Sequence, residues 1–167
     1  MFYNGAKVTT DADVSSLYNL CNRSAIDLTK LGANFSDLLC HCSLKGDLGL
    51  CQQLIQSNPG ADLNGKNRQN KIALNVAAEQ EQFDILEYLL NQGATWEDIN
   101  KTIKDKLTPL YFVCRSGLLD WVTKFVQEFK ADVNGSGCLQ ATIEFYHSQV
   151  AEYLLKSGCN VNQVETS

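Results

Sequence analysis

The sequence predicts an all-α solenoid of about four to five stacked helix-turn-helix units, and two observations carry that expectation. The first is internal repetition. GANF starts at Gly32, GADLN at Gly60, GATW at Gly93, KADVN at Lys130 and GCNVN at Gly158, at intervals of 28, 33, 37 and 28 residues. A recurring period in this range marks a repeat architecture. The second is helical periodicity. CQQLIQ, FDILEYLLNQ, WVTKFVQEF and VAEYLLKSG precede the later copies. Each places apolar residues at i, i+1, i+4 and i+5, a stripe along one helical face.

About fifteen residues before the end of each such helix lies another apolar segment: LLCHCSLKG, KIALNVAAEQ, LTPLYFVCRSG and CLQATIEFYH. These carry small residues at adjacent positions, namely Ala77 and Ala78, Val113 and Cys114, Thr142 and Ile143. Small side chains let two helices approach closely. Gly93 and Gly158 follow the outer segments, where a left-handed glycine closes a helix. A unit therefore reads as helix, tight turn, helix and extended return. One such pair cannot bury its own apolar face, and stacked neighbours can.

The third unit contains Thr108-Pro109-Leu110-Tyr111-Phe112-Val113-Cys114, then Gly117, then Ala131-Asp132-Val133-Asn134. This resembles the ankyrin repeat, with its T-P-L-H-x-A opening and glycine-led closing motif. Thr108 suits a helix cap, Pro109 a first helical turn, Leu110 the core and Gly117 a helix end. The second unit matches in register through Ile72-Ala73-Leu74-Asn75-Val76-Ala77-Ala78. The first keeps Leu39, Cys42, Gly46 and Gly60-Ala61-Asp62-Leu63-Asn64, and the fourth keeps Leu139 and its outer helix. The implied division is an N-terminal segment with a degenerate capping repeat over 1–34, an ankyrin-repeat domain over 35–163 and a tail over 164–167. The resemblance implies short or irregular β-hairpin fingers. ATWEDINKTIKDKL lengthens the finger between units two and three. VNGSG leaves no room for a full one between three and four.

Composition narrows the function. Apolar residues make up 44% and charged residues 20% of the 167, which fits a globular chain with a core of its own. The formal net charge of −5 opposes nucleic acid or an anionic membrane as main partner. No run approaches the length of a membrane span and the N-terminus lacks a secretory h-region, so a cytoplasmic or nuclear home is expected. Seven cysteines, an odd number, read as buried thiols and not as a disulfide framework. The sequons at Asn22, Asn34, Asn100 and Asn134 are read as chance occurrences.

Catalytic and metal chemistry find little material. Cys40, His41, Cys42 and Cys51 suggest zinc, but neighbours on a helix diverge by about 100° and do not converge on one ion. Only two histidines are present, His41 and His147. His147 is expected to brace a turn, as it does in the family. No phosphate-loop or dinucleotide motif occurs. No enzyme activity, cofactor or metal is expected. Trp121 is expected in the core. Trp96, in the lengthened finger, is expected either to fold back or to meet a partner. Lys101, Lys104 and Lys106, with Lys66, Arg68 and Lys71, read as solvated surface, the alternative being a positive patch on neighbouring fingers.

The ankyrin resemblance implies a protein-protein interaction module, a scaffold or adaptor, binding through its concave side. In the family register that side takes Arg68, Gln69, Lys71, Glu79 and Gln80 from unit two. Unit three adds Lys104, Asp105, Leu107, Arg115 and Ser116. Glu144 and Phe145 extend it into unit four, and Trp96 is the aromatic of the long finger. The alternative is a substrate-recruiting or regulatory domain of a larger signalling enzyme, a kinase or ubiquitin ligase, with catalysis elsewhere. Tyr153, Leu154 and Leu155 leave an internal-looking repeat at the C-terminal end, which suggests a longer protein or a cover for that face.

Overall fold

Helix ends follow directly from the local sequence. Asn34 Oδ1 accepts from Ser36 N at 3.0 Å and starts α1, Phe35–Lys45. Gly46, at φ 73°, ends it. Asp47 Oδ1 then accepts from Leu50 N at 2.9 Å and starts α2, Leu48–Ser57. A side-chain acceptor at the start and a left-handed glycine at the end satisfy backbone groups the helix leaves open. The computed structural model describes residues 34–103, 107–135 and 137–163, together with Ser16. The capping repeat expected over 1–34 and the tail over 164–167 lie outside them, apart from Asn34 and Ser16.

The described residues form eight α-helices and almost no strand, so the fold is all-α. After α2 come α3 (Ala73–Glu79), α4 (Phe83–Asn91), α5 (Pro109–Ser116), α6 (Leu119–Gln127), α7 (Cys138–Glu144) and α8 (Ser148–Lys156). A short 3-10 turn, Val161–Gln163, follows. The chain divides into two units, Met1–Thr95 and Trp96–Ser167. Each holds two helical hairpins side by side. In the first, inner helix α1 packs on α3 and outer helix α2 on α4. In the second, α5 packs on α7 and α6 on α8.

Small residues sit where inner helices meet. Ala77 and Ala78 are fully buried, as are Val113 and Cys114. The fourth unit differs from expectation. Thr142 is buried but Ile143 is 60% exposed, and the close-approach pair there is Ala141 and Thr142. Leu39, Leu74, Leu86 and Leu89 centre the first core; Leu110, Val113, Phe125 and Leu154 centre the second. Five of the described cysteines are buried in these cores, and Cys159 is half-buried. Cys21 lies outside the described residues.

The closing motif has a physical basis. Asp62, Asp98 and Asp132 each accept from the backbone N two residues on, in Asx turns of 2.9 Å. The asparagine that follows reaches the next return. Asn64 Oδ1 accepts from Thr95 N, Asn100 Oδ1 from Asp132 N and Asn134 Oδ1 from Asn160 N, at 2.8–2.9 Å. Asn34 caps a helix, and Asn100 and Asn134 each tie one return to the next, so these three asparagines have structural roles. Asn22 lies outside the described residues.

Two expectations need correction. Thr108 precedes α5 but makes no side-chain cap, and its buried Oγ1 has no hydrogen-bond partner among the described residues. Pro109 in the first turn leaves one backbone donor fewer to be capped. Trp121 is half-buried and not a core residue: its ring meets Phe125 at 6.2 Å and lies under Lys124 Nζ at 4.9 Å. Of the apolar trio at the C-terminal end, Leu154 is buried, Tyr153 half-buried and Leu155 exposed.

Candidate functional site

The first unit carries the better-built site. Its return ends in a tight finger. Asn67 N donates to Lys71 O at 2.9 Å, and Asn67 Oδ1 accepts from Gln69 N and Lys71 N at 3.0 and 2.9 Å. Asn70 sits at φ 60°, a left-handed conformation that asparagine tolerates. This finger lies over the length of α1 and the C-terminal half of α3 and leaves a cavity of about 270 Å³.

Two ion pairs hold the walls. Asp37, in the first turn of α1, takes Arg68 Nε on one carboxylate oxygen at 2.8 Å and Arg68 N on the other at 2.9 Å. Glu79, at the end of α3, takes Lys71 Nζ at 2.9 Å. Both carboxylates are only 8% exposed, whereas the two cations are about one-third exposed. A buried carboxylate needs such a partner, because removal from water strongly disfavours an unpaired charge. The acids therefore fix where the cations stand.

Cys40 also faces the cavity and donates Sγ–H to Lys71 O at 3.4 Å. Burial, aided by the neighbouring Asp37 charge, pushes its thiol up to about 12. It stays protonated at neutral pH and offers no nucleophile. Cys114 is raised as well, by its hydrogen bond with Cys138 and by burial. Among the described residues no three His, Cys, Asp or Glu side chains are grouped to hold a metal ion.

The sequence-predicted residues divide between the units. Arg68, Gln69, Lys71, Glu79 and Gln80 all line the first unit's cavity. Lys104 and Asp105 lie outside the described residues. Leu107 closes the second unit's finger, accepting from Ile103 N at 2.8 Å. Arg115 lies over the Phe112 ring at 5.2 Å. Ser116 is used locally, donating to Val113 O at 2.7 Å. Glu144 is exposed, and Phe145, just past α7, is 43% exposed. Trp96 folds back: its ring meets Phe125 at 5.3 Å and Phe129 at 5.2 Å.

Sequence reasoning missed Asp37, His41, Leu44 and Lys45, which complete the cavity. The register held the signal. Leu44 and Lys45 occupy in the first repeat the place of Glu79 and Gln80 in the second. It also missed Tyr146, 92% exposed at φ 60° beside Phe145.

His147 braces the second unit. Its Nε2–H donates to Arg115 O at 2.8 Å while the ring covers Gly117, at φ 74°. In the first unit Gln82 covers Gly46 in the same way. Among the described residues no helix is long and apolar enough to cross a membrane.

No family model matches the chain. It is similar to a zebrafish (Danio rerio) protein named putative palmitoyltransferase ZDHHC13, 26% identical over 121 residues, which is 70% of this chain and 18% of that protein. It is also similar to alpha-latrocrustotoxin-Lt1a of Latrodectus tredecimguttatus, 28% identical over 127 residues, or 72% of this chain and 9% of the toxin. The chain therefore spans less than one-fifth of the length of these curated relatives.

Proposed function

We propose that the chain is a non-enzymatic interaction module of the ankyrin type, binding a protein partner through its finger turns and the exposed sides of its inner helices. The observation that supports this most is the convergence of Arg68, Gln69, Lys71, Glu79 and Gln80 on one cavity. The family register picks these residues out of the sequence without knowledge of any cavity. Exposed Phe145 and half-buried Arg115 supply an aromatic and an arginine, the side chains that most often dominate protein interfaces. The expected setting is the cytoplasm, with the nucleus as the other reducing compartment.

Affinity purification from the native cell tests this reading, with the Arg115→Ala/Phe145→Ala double variant beside the wild type. The expected result is a protein recovered with the wild type and depleted with the variant. Identical recovery from both contradicts it.

A second reading is favoured by one observation, the short share of each relative that this chain spans. On that reading the module recruits substrates for, or regulates, a larger enzyme whose catalytic part lies elsewhere. Immunoblotting the native cell with an antibody to this chain separates the two. A band much larger than 18.5 kDa supports the second reading.

A further inference from the structure

We propose that the first unit's cavity receives a carboxylate side chain of an acidic segment in the partner protein. This rests on the interaction reading above and names the chemistry of one of its contacts.

Among the charged groups of the cavity, donors outnumber acceptors. Its two carboxylates and the finger's Asn67 are engaged from within. Both oxygens of Asp37 go to Arg68, and Glu79 accepts from Lys71 Nζ and Gln80 Nε2. Asn67 Oδ1 takes two backbone amides, and Lys71 O takes Cys40 Sγ–H and Asn67 N. Donors are in surplus. An ammonium carries three hydrogens, and Lys71 directs one to Glu79. Lys45 lines the rim, is exposed, and makes no ion pair among the described residues. A ligand that brings acceptors meets the remaining hydrogens of Lys71 and the Lys45 ammonium.

Charge agrees. Three cations, Lys45, Arg68 and Lys71, face two carboxylates there, although the whole chain carries −5. The C-terminal ends of α1 and α3 border the cavity with partial negative charge. Lys45, in the last turn of α1, offsets it on that helix. Because the global charge repels acidic peptides, binding of one reports the local arrangement. The volume of about 270 Å³ is just below the range of sites for whole small molecules and admits a side chain with a few waters.

The test is fluorescence anisotropy with labelled hexaglutamate, hexaglutamine and hexalysine at low and moderate salt. Hexaglutamate is expected to bind best and to weaken as salt screens the contact. Lys71→Gln should weaken it about tenfold and Lys45→Gln about two- to fivefold. Lys71→Arg, which keeps the charge, should stay within about twofold of wild type. Lys124→Gln, in the second unit, should bind as wild type. If Lys71→Gln fails to fold, Lys45→Gln decides. Equal binding of hexaglutamine, tighter binding of hexalysine, no effect of the Lys45 variant, or an equal loss in Lys124→Gln overturns the proposal. The assay uses no native partner, so its failure leaves the interaction reading standing, and failure to recover a partner is seen separately.

Discussion

The two units are built from the same helical quartet but differ in how the chain returns between their hairpins. In the first, eight residues separate Asn64 from Ala73, room for the finger whose Arg68 and Lys71 close a cavity over α1 and α3. In the second, three residues separate Asn134 from Cys138, where α7 begins. There is no counterpart of Arg68 or Lys71 there. The second unit instead shows exposed Ile143, Phe145 and Tyr146 and, separately, a cluster of Trp96, Phe125 and Phe129. A shorter return removes the ion-paired finger, while the side chains of α7 and its following turn make the exposed face apolar where the first unit has Ala78, Gln80 and Glu81.

The largest way to break this comparison is at Phe125, which is fully buried and touches three other aromatic rings. Phe125→Ala should cost about 3–5 kcal/mol. Both tryptophans lie in the second unit, so tryptophan fluorescence during urea unfolding follows that unit selectively. A shift below about 1 kcal/mol would show that the cluster does not support the unit.

Next comes a matched pair. Asp37 and Thr108 both stand nine residues before the glycine that ends their helix, Gly46 or Gly117. Asp37 makes two bonds to Arg68, and Thr108 Oγ1 makes none among the described residues. Asp37→Asn should therefore cost about 1–3 kcal/mol, whereas Thr108→Val should be neutral or slightly stabilising. Equal costs in urea titrations would show that the ion pair does not distinguish the units.

The two glycines give a smaller contrast. Alanine at either takes on a left-handed φ, a shared penalty of about 1 kcal/mol. At Gly46 the new Cβ meets the end of the flexible Gln82 side chain. At Gly117 it meets the His147 ring, which is tied to Arg115 O. Gly117→Ala should thus lower Tm more than Gly46→Ala, by the equivalent of about 1 kcal/mol more. The reverse order would mean that His147 moves aside freely.

The thiols sharpen the comparison least. Cys40 has a folded pKa of about 12 against 9.0 for the free group. The folded state holds this proton more tightly, so the stabilisation is complete below pH 9 and is lost as pH rises toward 12. Cys40→Ala should flatten the fall in stability over that range. With a thiol reagent at neutral pH, Cys159 should react before the five buried cysteines.

Much of this was legible in the sequence because it depends on local chemistry. Gly46, Gly93, Gly117 and Gly158 all take positive φ, as their places after apolar stripes imply. Leu110 enters the core, and His147 braces a turn. The first unit's cavity was half legible. Its finger and α3 residues, and Leu44 and Lys45 of α1, can be placed by the repeat register, but Asp37 and His41 cannot, because LLCHCSLKG matches the motif only loosely. The fold-back of Trp96 depends on distances to Phe125 and Phe129, some thirty residues on, and such long-range packing leaves no local mark. Exposed Ile143 was misread because a β-branched apolar residue at a stripe position looks like core until its neighbours are known.

In the proposed function, partner binding runs through the exposed side of the inner helices. Titration calorimetry of the recovered partner against wild type, Arg115→Ala and Phe145→Ala tests it most directly. The account predicts a loss of about 1–3 kcal/mol for each variant, with Tm nearly unchanged, because Phe145 is 43% exposed and the Arg115 side chain rests on the outside of Phe112. Unchanged affinity in both variants, with both still folded, would contradict it.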